Sequence, residues 1–391
     1  VTATRGQNAK LNFTVAPIPF PVRKQGRRGG APTTMLGRRD RRTDRRDGGS
    51  MKAVVYRGAR DLGIEDREPA PPGPGEVRID VAYTGICGTD LHIYHGDMDA
   101  RVGDSAIIGH EMSGRVAAVG ADVDGVTVGQ PVTVMPTRPC GQCAACRRGT
   151  SHICHAMNFL GIDSPGAMQS SWNVPAELVL PLPEDLPLDH AALVEPVAVA
   201  VHDVRRGKVS ADDQVVVVGG GPVGVLIATV AQSRGARVLL VEPDPYRREV
   251  AGGVGIEAVD PGSTDVVALV GDRTDGAGAD IAFEVSGAAA GVTTAVDVLT
   301  TRGRLVMVAI HPRPREVNLH RFFWRELELL GARLYQRDDM EEAIRLVASG
   351  AIPARQLISR VEPIDAAAAA FTALEGGGVM KVLLDLQGGN K

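Results

Sequence analysis

Four of the five cysteines, Cys140, Cys143, Cys146 and Cys154, form a CxxCxxCx7C array on a glycine-containing loop. Four thiolates at such spacing satisfy a tetrahedral zinc ion completely and leave no position open, so the chemistry expected there is structural. In a small secreted chain the same residues would read as disulfides. In a chain of 391 residues without a signal peptide they read as metal thiolates in a reducing, cytoplasmic setting. A second group is dispersed: Cys87 in GICGTD, His110 and Glu111 in GHE, and Glu195 in VEPVAVAVHDV. Cysteine, histidine and carboxylate together can hold a zinc and still keep one position open for a substrate oxygen, as a catalytic metal must. Taken singly, each has another reading: Cys87 as a small buried hydrophobe, His110 as a satisfied core histidine, Glu195 as a solvated helix residue before Pro196.

A third signal is GGGPVG at 219–224, directly after VVVV at 215–218 and before the helical stretch VLIATVAQSRG. Gly219 permits the tight turn, Gly221 lets backbone approach a pyrophosphate, and Gly224 lets the helix pack on the strand. Phosphates would then sit at the helix N-terminus, where free N–H groups favour an anion. Gly-rich turns also occur for structural reasons alone, but here strand, helix and an acidic residue after the next strand, Glu242, agree. A carboxylate at Glu242 would accept from a ribose 2′-OH and repel a 2′-phosphate, which predicts NAD rather than NADP.

The elements that must carry these residues divide the chain. From Met51 to about Arg205, short strands separated by Gly and Pro turns (VRIDVAY at 77–83, SGRVAAVG at 113–120, QPVTVM at 130–135) predict a β-rich domain. A helix-like stretch follows from Leu188 to Arg206. Beyond it VVVV, RVLLV at 237–241, DIAFE at 280–284 and RLVMVA at 304–309 are unbroken apolar runs, the signature of a parallel sheet covered by helices on both faces. From about Asp338 a helix (MEEAIRLVASG) and a last strand (KVLLDL) are expected to return to the first domain. The expected division is 1–50, a disordered basic extension; 51–205, catalytic; 206–337, cofactor-binding; 338–391, return to the catalytic domain.

The length suits two domains, and 44% hydrophobic with 23% charged residues and no long apolar run excludes a membrane span. The net charge of −4 conceals twelve Lys or Arg against three Asp within residues 1–50. That segment lacks hydrophobic periodicity. Its basic character could serve nucleic acid, but an extension with no folded role is expected, with Met51 as the true start and no nucleic-acid partner.

Residues 51–391 resemble the medium-chain zinc-containing alcohol dehydrogenase family, in its branch of sorbitol, 2,3-butanediol and L-threonine dehydrogenases. GICGTDLH, GHE, the four-cysteine lobe, VEP and GGGPVG all occur in the family's order. The resemblance implies an α/β protein with a GroES-like β-barrel catalytic domain and a Rossmann doubly wound parallel-sheet domain, the active site lying between them. It implies that Cys87, His110 and Glu111 hold a catalytic zinc, with Glu195 as exchangeable ligand or neighbour. Thr89 and His92 would form a proton relay, and Val223, Glu242 and Arg247 would contact NAD. One catalytic and one structural zinc per chain, NAD, a small alcohol substrate and a homotetramer are what the family suggests. The activity so implied is hydride transfer from a secondary alcohol of diol or polyol type to NAD, giving a ketone. AVAVHDV after Pro196 resembles the butanediol and polyol members; L-threonine 3-dehydrogenase is the rival activity, and a non-enzymatic zinc-stabilised nucleotide-binding protein the rival class. Where relatives read FAEY, in a region that commonly lines the substrate side, this chain has MQSSW at 168–172. His95, three residues after His92, reads as a surface histidine.

Overall fold

Valine and isoleucine alternate with polar residues along EVRIDVAYTG, and the strand Glu76–Gly85 accordingly buries Val77, Ile79 and Val81 while Asp80 faces solvent. The computed structural model describes residues 50–311 and 313–388. The expectations for the basic extension therefore lie, up to residue 49, outside the described residues. Glu76–Gly85 sits inside a sheet ordered Val179–Pro181, Pro131–Val134, Glu111–Val119, Glu76–Gly85, Lys381–Asp385, Ile358–Pro363, and it also pairs with Ser171–Pro175. Only the last two strands of that order run parallel. A smaller sheet, Asp61–Arg67, Met51–Gly58 and Ala106–Ile107, is tied to it where Val54 N–H donates to Met168 O and Ser170 N–H to Lys52 O, both at 2.8 Å. Together the two sheets wrap a core that includes Ile79, Met112, Val132, Trp172 and Phe371.

The unbroken apolar runs form a six-stranded parallel sheet ordered Glu257–Val259, Arg237–Val241, Gln214–Val218, Ala279–Glu284, Leu299–Met307, Glu328–Gly331. In sequence rank that is 3-2-1-4-5-6, the doubly wound order of dinucleotide-binding sheets. Val215, Val216 and Val217 are all fully buried, odd and even positions alike, because helices cover both faces. Burying such a side chain is worth about 1.5–3 kcal/mol. The core on one face joins Val194–Arg206, Pro222–Ser233 and Arg337–Ala348 to the strands.

The stretch 188–206 is two helices, Leu188–Ala191 and Val194–Arg206, rather than one. Pro196 is the cause: its ring opposes a helical carbonyl at Ala192, but in the first turn of a new helix its missing N–H needs no partner. Among the described residues no helix is long and apolar enough to cross a membrane.

Candidate active site

The four cysteines of the lobe come together. Their sulfurs lie within 4.8 Å of one another, Cys143 Sγ standing 3.5 Å from Cys146 Sγ and 3.8 Å from Cys154 Sγ. A disulfide needs about 2.05 Å, whereas thiolates about 2.3 Å from a tetrahedral zinc stand roughly 3.8 Å apart. Backbone N–H groups point at the sulfurs as they would at thiolates: Cys140 N and Ala156 N reach Cys154 Sγ at 3.2 and 3.3 Å. Backbone N–H groups of Cys146 and His155 hold the Cys143 thiol down at about 5. The lobe is clasped to the rest of the chain by Gln336, whose Nε2 donates to Gly149 O and meets His152 Nδ1, each at 3.1 Å.

The dispersed group converges as well. Cys87 N-caps the helix Gly88–Tyr94, and its own N–H donates to Asp90 Oδ2 at 2.9 Å. His110 and Glu111 lie at the start of the strand Glu111–Val119, both buried, and their donor atoms fall with the Cys87 sulfur inside a 4.8 Å cluster. Gly109 makes this corner possible. It stands at φ 93°, and a Cβ there would meet Met168 Cγ at 2.6 Å. Met168 and Trp172 are buried in the barrel core, so MQSSW backs the GHE corner from inside.

Glu195 is buried in the first turn of its helix and accepts from Tyr335 Oη at 2.6 Å. Burial pushes its carboxyl up to about 7, with Glu111 adding to the shift and His110 opposing it. Two further groups stand beside these donors, Asp90 from the same GICGTD motif and Lys381 from far along the chain. Asp90 is fully buried with Oδ1 3.7 Å from His110 Nδ1. Lys381, in the last strand, places Nζ 2.8 and 2.6 Å from the two oxygens of Glu111. Burial works against its charge, but Glu111 and Cys87 outweigh that and the pKa is raised. A lysine opening an otherwise apolar strand was the signal available for Lys381; Tyr335 offered none.

Thr89 and His92 share the helix Gly88–Tyr94 at i, i+3, hence on one face. Thr89 is half-buried, and exposed His92 places Nδ1 3.1 Å from Asp97 Oδ2. His95 instead pairs with Glu375 at the surface.

At the glycine-rich turn Gly219 has φ 109°, and a Cβ on Gly224 would lie 1.9 Å from Gly219 O. Gly221 N-caps Pro222–Ser233 and differs: a Cβ there would meet nothing nearer than Arg247 Nη1 at 4.0 Å. Its bareness leaves a cradle open above a helix N-terminus, the shape a pyrophosphate requires. Val223, next on that helix, packs against the core beneath. Glu242 is buried above the turn, accepting from Gly220 N at 2.6 Å and Asp244 N at 2.9 Å, with Arg247 Nη1 3.8 Å away. The donor sets thus fit zinc, and the turn fits a dinucleotide.

Comparison with known proteins agrees with this geometry. Residues 73–184 match the alcohol dehydrogenase GroES-like domain, and residues 222–349 the zinc-binding dehydrogenase domain. The chain is 48% identical over 326 residues, 83% of its length and 96% of the relative's, to 2-dehydro-3-deoxy-L-galactonate 5-dehydrogenase of Pseudoalteromonas atlantica. Among solved structures it is similar to 2R,3R-butanediol dehydrogenase from Bacillus subtilis, at 33% identity and TM-score 0.79 over 86% of this chain and 99% of that one. It is also similar to a zinc-binding dehydrogenase from Sinorhizobium meliloti bound to NADP, at 29% identity and TM-score 0.82 over the same shares. With the barrel, the parallel sheet and both thiolate-bearing sites in place, the chain belongs to the medium-chain zinc-containing alcohol dehydrogenase family and is an oxidoreductase acting on secondary alcohols.

Proposed function

We propose that the chain oxidises a secondary alcohol in a diol or polyol-type carbon chain to a ketone, with NAD as acceptor and with one catalytic and one structural zinc per chain. The observation that carries this reading is the convergence of half-buried Cys87 with buried His110 and Glu111, three unlike donors, with Glu195 held beside them by Tyr335. A purely structural metal would be expected to have four closed protein ligands. The relatives' names, one a 5-dehydrogenase of a galactonate derivative and one a butanediol dehydrogenase, support it.

When bound, the metal supplies Lewis acidity to the alcohol oxygen and the nicotinamide supplies the hydride acceptor. The chain's residues do the rest. Cys87, His110 and Glu111 hold the metal, and Lys381 orients Glu111 through both its oxygens. Glu195, near neutrality in its proton affinity, serves as an exchangeable ligand or neighbour. Thr89 accepts the alcohol proton at Oγ1 and His92 hands it outward, where Asp97 meets its ring in solvent. Gly219, Gly221 and Gly224 cradle the dinucleotide, with Val223, Glu242 and Arg247 as its further contacts. Glu242 would favour NAD, since a 2′-phosphate brought near its carboxylate would add like charge. The division of the chain at 205/206 and 337/338 into catalytic and cofactor-binding parts is part of the same proposal.

A cytoplasmic homotetramer is proposed as the working form. Exposed Leu319, Phe323 and Trp324 beside the edge strand Glu328–Gly331 support association with further copies.

The test is NADH absorbance at neutral and alkaline pH on adding secondary alcohols, diols, polyols and L-threonine. NAD-dependent oxidation of diols or polyols above threonine is expected. Threonine as the preferred substrate, or no reduction of NAD by any alcohol, would overturn the reading.

A further inference from the structure

At the carboxyl ends of the parallel strands, across the glycine turn from Glu242, stands a second polar cluster. Its hub is Glu284, the fully buried last residue of the strand Ala279–Glu284. Glu284 Oε1 accepts from Ser286 N at 3.0 Å, Ser286 Oγ at 2.5 Å and Gly287 N at 3.0 Å, so the carboxylate folds the chain after its strand into a fixed loop. Oε2 is sealed from solvent and makes no well-directed hydrogen bond, yet His311 Nε2 stands 2.9 Å from it, with Met307 Sδ 3.1 Å from the same nitrogen. On the far side of the ring Arg315 Nε donates to His311 Nδ1 at 3.4 Å, while Arg315 Nη2 donates to Gly287 O at 2.9 Å. An accepting Nδ1 leaves the ring proton on Nε2, facing Glu284.

The cluster buckles two loops together. The segment after the strand Leu299–Met307 lies against the loop at Gly287, where a Cβ would meet Ala309 Cβ and Ile310 O, each at 3.8 Å. Val308 N and Ala309 N both donate to Glu284 O at 3.0 Å. The loop also abuts the dinucleotide turn, since a Cβ on Gly219 would meet Ser286 N at 2.8 Å. A dinucleotide straddles the point where strand order reverses, which here falls between Gln214–Val218 and Ala279–Glu284. With Glu242 on the adenosine side, the nicotinamide half falls on the side of the buckled loops.

We propose that Glu284, His311 and Arg315 are positioning residues for the nicotinamide half of the cofactor: they fix the two loops that would border it and take no part in the reaction themselves. The proposal rests on the dinucleotide reading above and adds to it three residues outside the glycine turn. Loops ordered beforehand cost a ligand less to bind. Once the buckle is cut, that ordering falls to the cofactor, and the loss is felt by a ligand that reaches the loops but not by one that stops short of them.

The experiment compares NADH with ADP, which keeps the adenosine and the pyrophosphate and lacks everything beyond. Dissociation constants are measured by calorimetry on the zinc-loaded full chain, as wild type, His311→Leu, His311→Gln, Arg315→Met and Arg302→Gln. His311→Leu should weaken NADH about tenfold while ADP changes by less than about twofold. His311→Gln, whose amide can still donate to Glu284, should recover part of the loss, and Arg315→Met should resemble His311→Leu in milder form. Arg302→Gln alters an exposed pair with Glu326, toward the other end of the strand Leu299–Met307, and should change neither ligand. In turnover, His311→Leu should raise the KM for NAD more than it lowers kcat.

Equal weakening of NADH and ADP by His311→Leu would mean general damage to the sheet, and unchanged NADH binding would mean that the cluster bears on no ligand. Either result overturns the proposal and leaves the dinucleotide reading standing, because wild type still binds both. If wild type binds neither, the dinucleotide reading falls and the proposal falls with it. Should His311→Leu fail to fold, half-buried Arg315 carries the same comparison through Arg315→Met.

Discussion

At the scale of single residues the proposed site separates groups that would hold a metal from groups that would move protons. Thr89 and His92 are outside the cluster of Cys87, His110 and Glu111, so a relay can be removed without removing a ligand. Thr89→Val keeps the shape and deletes the hydroxyl; turnover should fall about a hundredfold or more, with zinc content and NAD affinity unchanged. His92→Ala should be milder, because water can replace an exposed outer member, and its loss should be greatest at low pH where hydroxide is scarce. Full turnover by Thr89→Val across the pH range would move the relay elsewhere. The proposed cofactor choice turns on another single group. Glu242 is bound by two backbone N–H groups and faces Arg247 at 3.8 Å. Glu242→Ser releases Arg247 to meet a phosphate, so the ratio of kcat/KM for NAD to that for NADP should drop. Equal efficiency of the wild type with both cofactors would end the assignment.

Among elements, the lobe and the catalytic strands should fail in different ways. Cys143 belongs to a loop whose short helices have little core of their own, so a metal held there would contribute directly to folding. Cys87 caps a helix packed on the barrel through Ile93 and Tyr94, which hold it without a metal. Cys143→Ser should therefore lower the melting temperature more than Cys87→Ser, while elemental analysis finds one zinc fewer in each. One zinc per chain in the wild type would contradict both.

The difference between these elements also explains what could be read beforehand. The lobe and the glycine turn are legible because their chemistry sits within a few residues, where spacing alone specifies geometry. GICGTD and GHE needed each other to be convincing, since either is an ordinary strand-end sequence. Tyr335 and the role of Lys381 were not legible. Each acts through a partner brought near by tertiary packing, as Lys381 is to Glu111 across 270 residues. The single helix expected over 188–206 breaks for a local reason, Pro196, which was visible but outweighed by apolar periodicity.

At the scale of the whole molecule, the catalytic sheet is joined by a strand from far along the chain. Lys381–Asp385 pairs with Glu76–Gly85 and delivers Lys381 to a buried carboxylate. Removing one partner of a buried pair leaves a charge without compensation, a loss of about 3–5 kcal/mol. Lys381→Met should show that loss in urea unfolding, and Lys381→Met with Glu111→Gln should regain part of it. Additive losses in the double variant would mean that the two groups are not coupled.

That strand also imposes an order on biosynthesis. A ribosome adding about 5–20 residues per second finishes Cys87, His110 and Glu111 tens of seconds before it reaches Lys381. Throughout that interval the edge of Glu76–Gly85 that Lys381–Asp385 will cover is bare, and Glu111 has no counter-charge. The parallel sheet, continuous in sequence from 214 to 331, can form while the barrel waits. Chains truncated just before Lys381 should thus leave the strands around Glu76–Gly85 sensitive to protease while the parallel sheet resists it, and restoring the segment from Lys381 onward should protect both.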